Sequence, residues 1–317
     1  MKDLPLTTIL ESKQLAPSSI KLYNANFMKL NDGQPVLSFK FLTDIPVIEE
    51  KIKDYKPNTR RNYLIAITSL MSDLSKNNPK KYARAYRDYS VLLEKYNTNL
   101  KDQTAKTDTE KTNWLSPEKK AEVINNCEAI LPELAKKRKI NEDQYNRLLD
   151  CVVLSLYTKV PPRRNQDYQF MKVVSSYNDE LPTETNYLDL ENKKFIFNKY
   201  KTAGAYKQQI QEIPEDLMTI LKLYLKLKPK NSGNEFLTDY EGSPFVQINS
   251  ITRILNKIFD AKVGASMLRK LYLSDKYSKV MEDLKADTEK MGTSVDVAKN
   301  NYIKDEERGT APHAELR

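Results

Sequence analysis

The stretch Met291-Gly292-Thr293-Ser294-Val295-Asp296-Val297-Ala298-Lys299-Asn300-Asn301-Tyr302-Ile303-Lys304 decides how the chain is read. A glycine turn leads into a helix expected over 294–304, which carries Tyr302 near its end. Working outward, Ser266-Met267-Leu268-Arg269-Lys270 lies upstream. Earlier, Lys201-Thr202 sits between two strand-like runs, and Pro161-Pro162-Arg163-Arg164-Asn165-Gln166-Asp167-Tyr168 follows a strongly apolar segment. Arginine, lysine, arginine and tyrosine therefore recur in that order. Each alone has an ordinary explanation. With 19 tyrosines in the chain, a single one is most often a packing residue, and single arginines are usually ion-pair partners.

The totals narrow the classes. The chain has 317 residues, of which 39% are hydrophobic and 30% charged. That suits one large globular domain or two ordinary ones. No run approaches the ~20 apolar residues of a membrane span, so no membrane partner is expected. Met1-Lys2-Asp3-Leu4-Pro5 lacks the apolar core of a signal peptide, and the expectation is an intracellular protein. The only cysteines, Cys127 and Cys151, fall inside helical patterns and read as small buried residues. The single histidine, His313, lies in a polar tail. A zinc site of histidines and cysteines is excluded by count, and no metal is assigned. Neither GxxxxGK[ST] nor GxGxxG occurs, which argues against ATP- or NAD-dependent chemistry and leaves no cofactor expected. Net charge is +9, and residues 51–100 hold 11 Lys and Arg against 4 Asp and Glu. A basic region this concentrated points to a polyanion, double-stranded DNA or RNA, bound with release of counterions.

Residues 1–101 read as helices with short breaks. Ser18-Ser19 is a cap before Ile20, Tyr23, Phe27 and Leu30 at helical spacing. Residues 32–46 read as loop. Pro57-Asn58-Thr59 opens a second helix, and a third spans 79–97. Lys56, Arg60, Arg61, Lys80, Lys81, Arg84 and Arg87 are candidate contacts to a nucleic-acid backbone. Residues 102–113 hold no large apolar side chain and read as a linker between domains. The second domain, 114–317, starts on Ser116-Pro117, a cap followed by proline at the first helical position. Its most apolar helix is expected over 143–158. Residues 186–190, 194–199 and 206–213 read as a three-stranded antiparallel meander, with Ala203-Gly204-Ala205 as its second turn. Helices follow near 214–228, 247–260, 264–276, 278–290 and 294–304. The fold class expected is mainly α with a small antiparallel meander.

The order and spacing of these residues resemble the tyrosine recombinase/integrase family. The Pro-Pro-Arg-Arg variant is similar to integrases of large DNA viruses and virophages. In that family an arginine and an acidic residue follow a buried helix. A β-turn lysine comes next, then HxxR, then glycine with His or Trp, and nine residues later the nucleophilic tyrosine. Arg164-x-x-Asp167, Lys201-Thr202, Ser266-Met267-Leu268-Arg269, Gly292-Thr293 and Tyr302 take those places. Arg163 is the alternative first arginine, because the doubled residue leaves the register open by one. Likeness covers about 115–305 well, while 1–101 resembles the helical core-binding domain more loosely.

The residue types suit the chemistry implied. Two arginines match phosphate oxygens in pairs. Losing one such donor typically costs roughly 10²–10³ in rate. Tyrosine, with an ordinary pKa of about 10, is a poor nucleophile until cations favour its phenolate. The resemblance implies attack by Tyr302, a 3′-phosphotyrosine link, Lys201 as general acid, and religation without metal or ATP. It further implies a tetramer on DNA, with Arg163 and Lys270 as added DNA contacts. For a viral protein the place would be the host nucleus or cytoplasm. Ser266 and Thr293 stand where the family has histidine; they donate hydrogen bonds but do not shuttle protons near neutral pH. A type IB topoisomerase, a hairpin-telomere resolvase and a non-cutting DNA-binding relative remain alternatives.

Overall fold

A computed structural model describes residues 5–13, 15–101 and 105–304. The tail beyond 304, with His313, and positions 102–104 of the expected linker lie outside the described residues. The chain divides into two compact units between Lys106 and Thr107.

The first unit is helical: α1 (Leu6–Glu11), α2 (Pro17–Leu30), α3 (Ile45–Ile52), α4 (Pro57–Asn77) and α5 (Pro79–Lys101). Proline at the first helical position opens α2, α4 and α5, since its missing N–H has no intrahelical acceptor there. So Pro17, not the serine pair after it, starts α2. Helix α3 lies partly within the segment expected as loop. Asp44 caps it, accepting from the Val47 amide at 3.4 Å, and Pro46 falls in its first turn. Helices α4 and α5 turn at Asn78 and pack along their lengths, burying Leu64, Ile67, Leu70, Met71 and Leu74 against Tyr82, Ala85 and Tyr89. The buried Tyr89 hydroxyl donates to the Leu42 carbonyl at 2.9 Å and holds the short 3-10 turn Lys40–Thr43 on the hairpin.

The second unit begins with α6 (Asp108–Asn113), α7 (Pro117–Glu128), α8 (Leu131–Ala135) and α9 (Glu142–Thr158). Within the segment expected as linker, residues 108–113 form α6. Thr107 and Glu110 form a reciprocal capping box, and Glu110 ion-pairs with Lys270. The Lys270 ammonium, helped by the Thr107 amide and hydroxyl, holds the Glu110 carboxyl down at about 2. The Ser116 hydroxyl caps α7 as expected. Helix α9 is buried continuously from Cys151 to Tyr157 and packs on α7, α12 (Glu215–Leu227) and α13 (Ser250–Phe259).

Between α9 and α12 come α10 (Asn165–Gln169), β1 (Lys172–Val174), β2 (Tyr187–Asp189), β3 (Lys194–Phe197), α11 (Ala203–Tyr206) and β4 (Gln209–Glu212). The sheet order is β1-β2-β3-β4. The expected meander is present as β2-β3-β4, but β1 pairs with β2 in parallel, so the sheet is mixed. At three residues β1 shows no alternation to read. The loop 175–186 gives the length a parallel return needs. The expected turn at 203–205 is the single-turn helix α11. One helix, α14 (Ala265–Lys290), replaces the two expected over 264–290. The expected helix over 294–304 is α15 (Val295–Val297) followed by a π-turn, Ala298–Tyr302. Only Ala298 in that segment is buried, too little to hold a longer helix. Among the described residues no helix is long and apolar enough to cross a membrane.

Tyr89→Phe deprives the buried Leu42 carbonyl of its donor. It is expected to lower stability by about 1–3 kcal/mol in urea unfolding followed by far-UV circular dichroism. An unchanged midpoint would show the bond to be dispensable.

Candidate active site

The site grows from the chain leaving α9. Pro162 is buried, and the segment enters α10 in extended form, with Arg164 at φ −75°, ψ 150° as the residue before the helix. Successive side chains on extended backbone point to opposite sides. Arg163 takes the inner side. Its Nε donates to Asp167 Oδ2 at 2.9 Å and its second nitrogen to Gln209 Oε1 at 2.7 Å. The guanidinium lies 3.8 Å from the Phe197 ring centroid and 4.9 Å from that of Tyr200. Asp167 is buried, and desolvation raises its pKa against the opposing pull of Arg163 and then Arg164. The Arg164 carbonyl accepts from the Asp167 amide at 2.9 Å, and its half-exposed guanidinium makes no hydrogen bond or ion pair with the described residues.

Lys201 rides on the β3–β4 connection. That loop is fastened twice to α10. Tyr200 lies under Arg163, with its own hydroxyl donating to the Lys207 carbonyl at 2.7 Å. The buried Asn186 amide donates to the Asp167 and Lys199 carbonyls, both at 2.9 Å. Its oxygen accepts from the Asn198 and Lys199 amides. Lys201 itself is exposed and unpaired among the described residues.

A third fastening joins α10 to α13. The Tyr157 hydroxyl donates to Asn165 Oδ1 at 2.7 Å, and Asn165 Nδ2 donates to Thr252 Oγ1 at 2.8 Å. Gly264, just before α14, lies on the same threonine: a Cβ there would stand 3.6 Å from Thr252 Cγ2. Ser266 and Arg269 occupy the first turns of α14, the serine exposed and the arginine half-exposed. Arg269 has no ion-pair partner among the described residues, whereas Lys270 is taken up by Glu110. The segments that carry Arg164, Lys201, Ser266 and Arg269 are thus bound to one another through Arg163, Asn186, Asn165 and Thr252. Sequence reasoning did not single out those last three. Asn165 lies within a quoted segment and Asn186 begins an expected strand, but a single amide carries no periodic signal.

Helix α14 ends in a Schellman turn. The Gly292 amide donates to the Glu289 carbonyl at 3.1 Å and the Thr293 amide to the Thr288 carbonyl at 2.9 Å. Gly292 has φ +69°, which glycine adopts without strain. Ser294 then caps α15. Tyr302 is 62% exposed. No hydrogen bond or ring contact with the described residues joins it, or the half-exposed Thr293 side chain, to Arg164, Lys201 or Arg269.

The basic candidates of the first unit form two groups. Lys80, Arg84 and Arg87 share an exposed face at the start of α5, and Lys81 beside them lies 4.6 Å from the Tyr82 ring centroid. Arg84 pairs weakly with Asp88 at 3.9 Å. Lys56, Arg60 and Arg61 stand at the other end of the hairpin. Arg60 donates to the Tyr55 carbonyl and the Tyr96 hydroxyl, and Arg61 to Asn97. Tyr96 lies about 18 Å along α5 from Arg84, so the two groups are not one patch. Of these three cations Lys56 is exposed, while Arg60 and Arg61 are half-buried.

Compared with known protein families, curated proteins and solved structures, the chain matches none.

The two adjacent arginines should separate on mutation. Arg163→Met leaves Asp167 buried without its partner and is expected to cost about 3–5 kcal/mol. Arg164→Met should stay within about 0.5 kcal/mol. Urea unfolding of both variants checks this, and equal losses would contradict the inward and outward assignment.

Proposed function

We propose that the chain is a DNA strand transferase of the tyrosine recombinase type, a site-specific integrase. The observation that carries the reading is a selection among cations. Among the described residues Arg164, Lys201 and Arg269 stand unpaired on three mutually fastened segments, while Arg163 is neutralised by the buried Asp167 and the exposed Lys270 by Glu110. Permanently charged planar donors left unpaired at such a place suit a phosphodiester, whose transition state carries extra negative charge.

In this reading the first unit is a helical core-binding domain and the second the catalytic domain. Together they engage double-stranded DNA, as a tetramer on two sites and inside the cell. The Tyr302 phenol oxygen attacks the scissile phosphorus. A bond forms from phosphorus to that oxygen, and the bond to the 5′-oxygen breaks. The phenol gives up its proton to solvent water, and Lys201 supplies one to the leaving 5′-oxygen. Arg164 and Arg269 hold the non-bridging oxygens, with hydrogen bonds from Ser266 and Thr293 where imidazoles would otherwise stand. The reverse attack by a 5′-hydroxyl rejoins the strand, so energy is conserved in the link without ATP. The 62% exposure of Tyr302 supports the reading by leaving the phenol open to a duplex.

A pool of nicked suicide duplexes tests it. Wild type is expected to give a denaturation-resistant adduct, and Tyr302→Phe none. Arg164→Ala and Arg269→Ala should each slow adduct formation by roughly 10²–10³. Binding without an adduct would sink the enzymatic reading and leave a DNA-binding relative. Plasmid relaxation without strand exchange would instead point to a topoisomerase.

Removing Lys80, Arg84 and Arg87 together should lower affinity for all sequences alike. It should also flatten the slope of log K against log salt by about one for each phosphate no longer neutralised. An unchanged slope in a filter-binding titration would remove this face from the DNA interface.

A further inference from the structure

Among the described residues, most of the outward face of α14 is uncovered. Leu273, Tyr277, Val280 and Leu284 follow one another at spacings of four, three and four residues. On an α-helix this places them within a wedge of about 60°. Leu273 is 53% exposed, Tyr277 43%, Val280 59% and the adjoining Met281 40%, while Leu284 at the end of the stripe is half-buried. The core lies on the opposite side, where Leu268 and Leu271 are buried and Asp275 pairs with Lys120 of α7 at 2.7 Å. A contiguous apolar stripe rimmed by charge is the kind of surface that serves as an interface.

We propose that this stripe is the interface of a twofold-symmetric dimer in which α14 of one copy packs antiparallel on α14 of a second copy of the chain. Two features select that occupant. The four-three-four spacing reads the same in both directions. A twofold axis midway between Tyr277 and Val280 therefore sets Leu273 of one copy opposite Leu284 of the other, and Tyr277 opposite Val280. Charge gives the second feature. Lys276 and Asp283 lie on one flank of the stripe. The same axis brings Lys276 of each copy within about 3 Å of helix rise of Asp283 on the other. A parallel twofold pairing would instead set this flank against the opposite flank of the other copy, so Lys276 and Asp283 would not meet. The inference concerns the protein off DNA and does not rest on the strand-transfer reading.

Sedimentation equilibrium of the full chain across the micromolar range tests it. Wild type is expected at twice the monomer mass. Val280→Glu and Leu273→Glu should be monomeric with unchanged far-UV circular dichroism, since both side chains face solvent in the single chain. Lys276→Glu and Asp283→Lys should each weaken association about tenfold, because two ion pairs per dimer are broken. The combined Lys276→Glu/Asp283→Lys variant should restore it. A wild-type monomer throughout would overturn the proposal and give the stripe to residues beyond 304 or to a different macromolecule. So would a dimer that survives Val280→Glu, or a combined variant as weak as the single ones.

Discussion

Burying an ion pair is costly, and the cost is met only when every remaining donor and acceptor is satisfied. Around Arg163 and Asp167 several of these groups are satisfied. The guanidinium is held by Gln209 of β4 and sandwiched near the rings of Phe197 and Tyr200, while the Asp167 carbonyl receives Asn186. Because one charge pair touches α10, β3, β4 and the loop after β3, none of these can shift without stranding a charge. The position of Lys201 follows from this constraint, since it directly follows Tyr200. So does the outward course of Arg164, because extended backbone that sends one arginine inward sends its neighbour outward. The doubled arginine is therefore a division of labour between holding the site and facing out of it.

A different chemistry extends the frame to α14. Tyr157, Asn165 and Thr252 form a chain of hydrogen bonds near 2.7–2.8 Å from α9 to α13. Gly264 lets the start of α14 close on Thr252. Hydrophobic burial would set the approximate distance between these helices, but only directed bonds set their relative register. Ser266 and Arg269 inherit their placement from that register.

Legibility in the sequence tracks the range of the interaction. Helix α9 was readable because its apolar residues recur locally, and α7 because Ser116 and Pro117 carry the start signal in two residues. The β2-β3-β4 meander was readable for the same reason. Strand β1 was not, since its three residues are defined by partners on β2 and by the bridge from Lys172 to Glu235. Helices α3 and α6 carried local signals, Asp44 with Pro46 and Thr107 with Glu110, that composition outweighed: prolines and polar residues suggested loop and linker. Within the site, residue types could nominate two arginines but not choose between them. The choice depends on which one meets Asp167, Phe197 and Gln209, and those contacts span up to 46 positions.

Helix α14 raises a separate energetic question. Past Leu271 it continues to Lys290 with Thr288 as its only buried residue. The packed first turns nucleate it, and beyond them local bonds let the helix propagate with only modest stability per residue. The pairs Lys285–Glu289 and Lys290–Asp287, at 3.9 and 3.4 Å, add only a few tenths of a kcal/mol each. The Schellman end at Gly292 adds a further small term. Helical stability in proteins comes mainly from packing an apolar face. Here that face exists, in Leu273, Tyr277, Val280 and the half-buried Leu284, and among the described residues it is mostly open. A helix that carries its own packing surface yet spends it on nothing internal is best understood as one half of a contact. The symmetry of its spacing makes the other half the same helix.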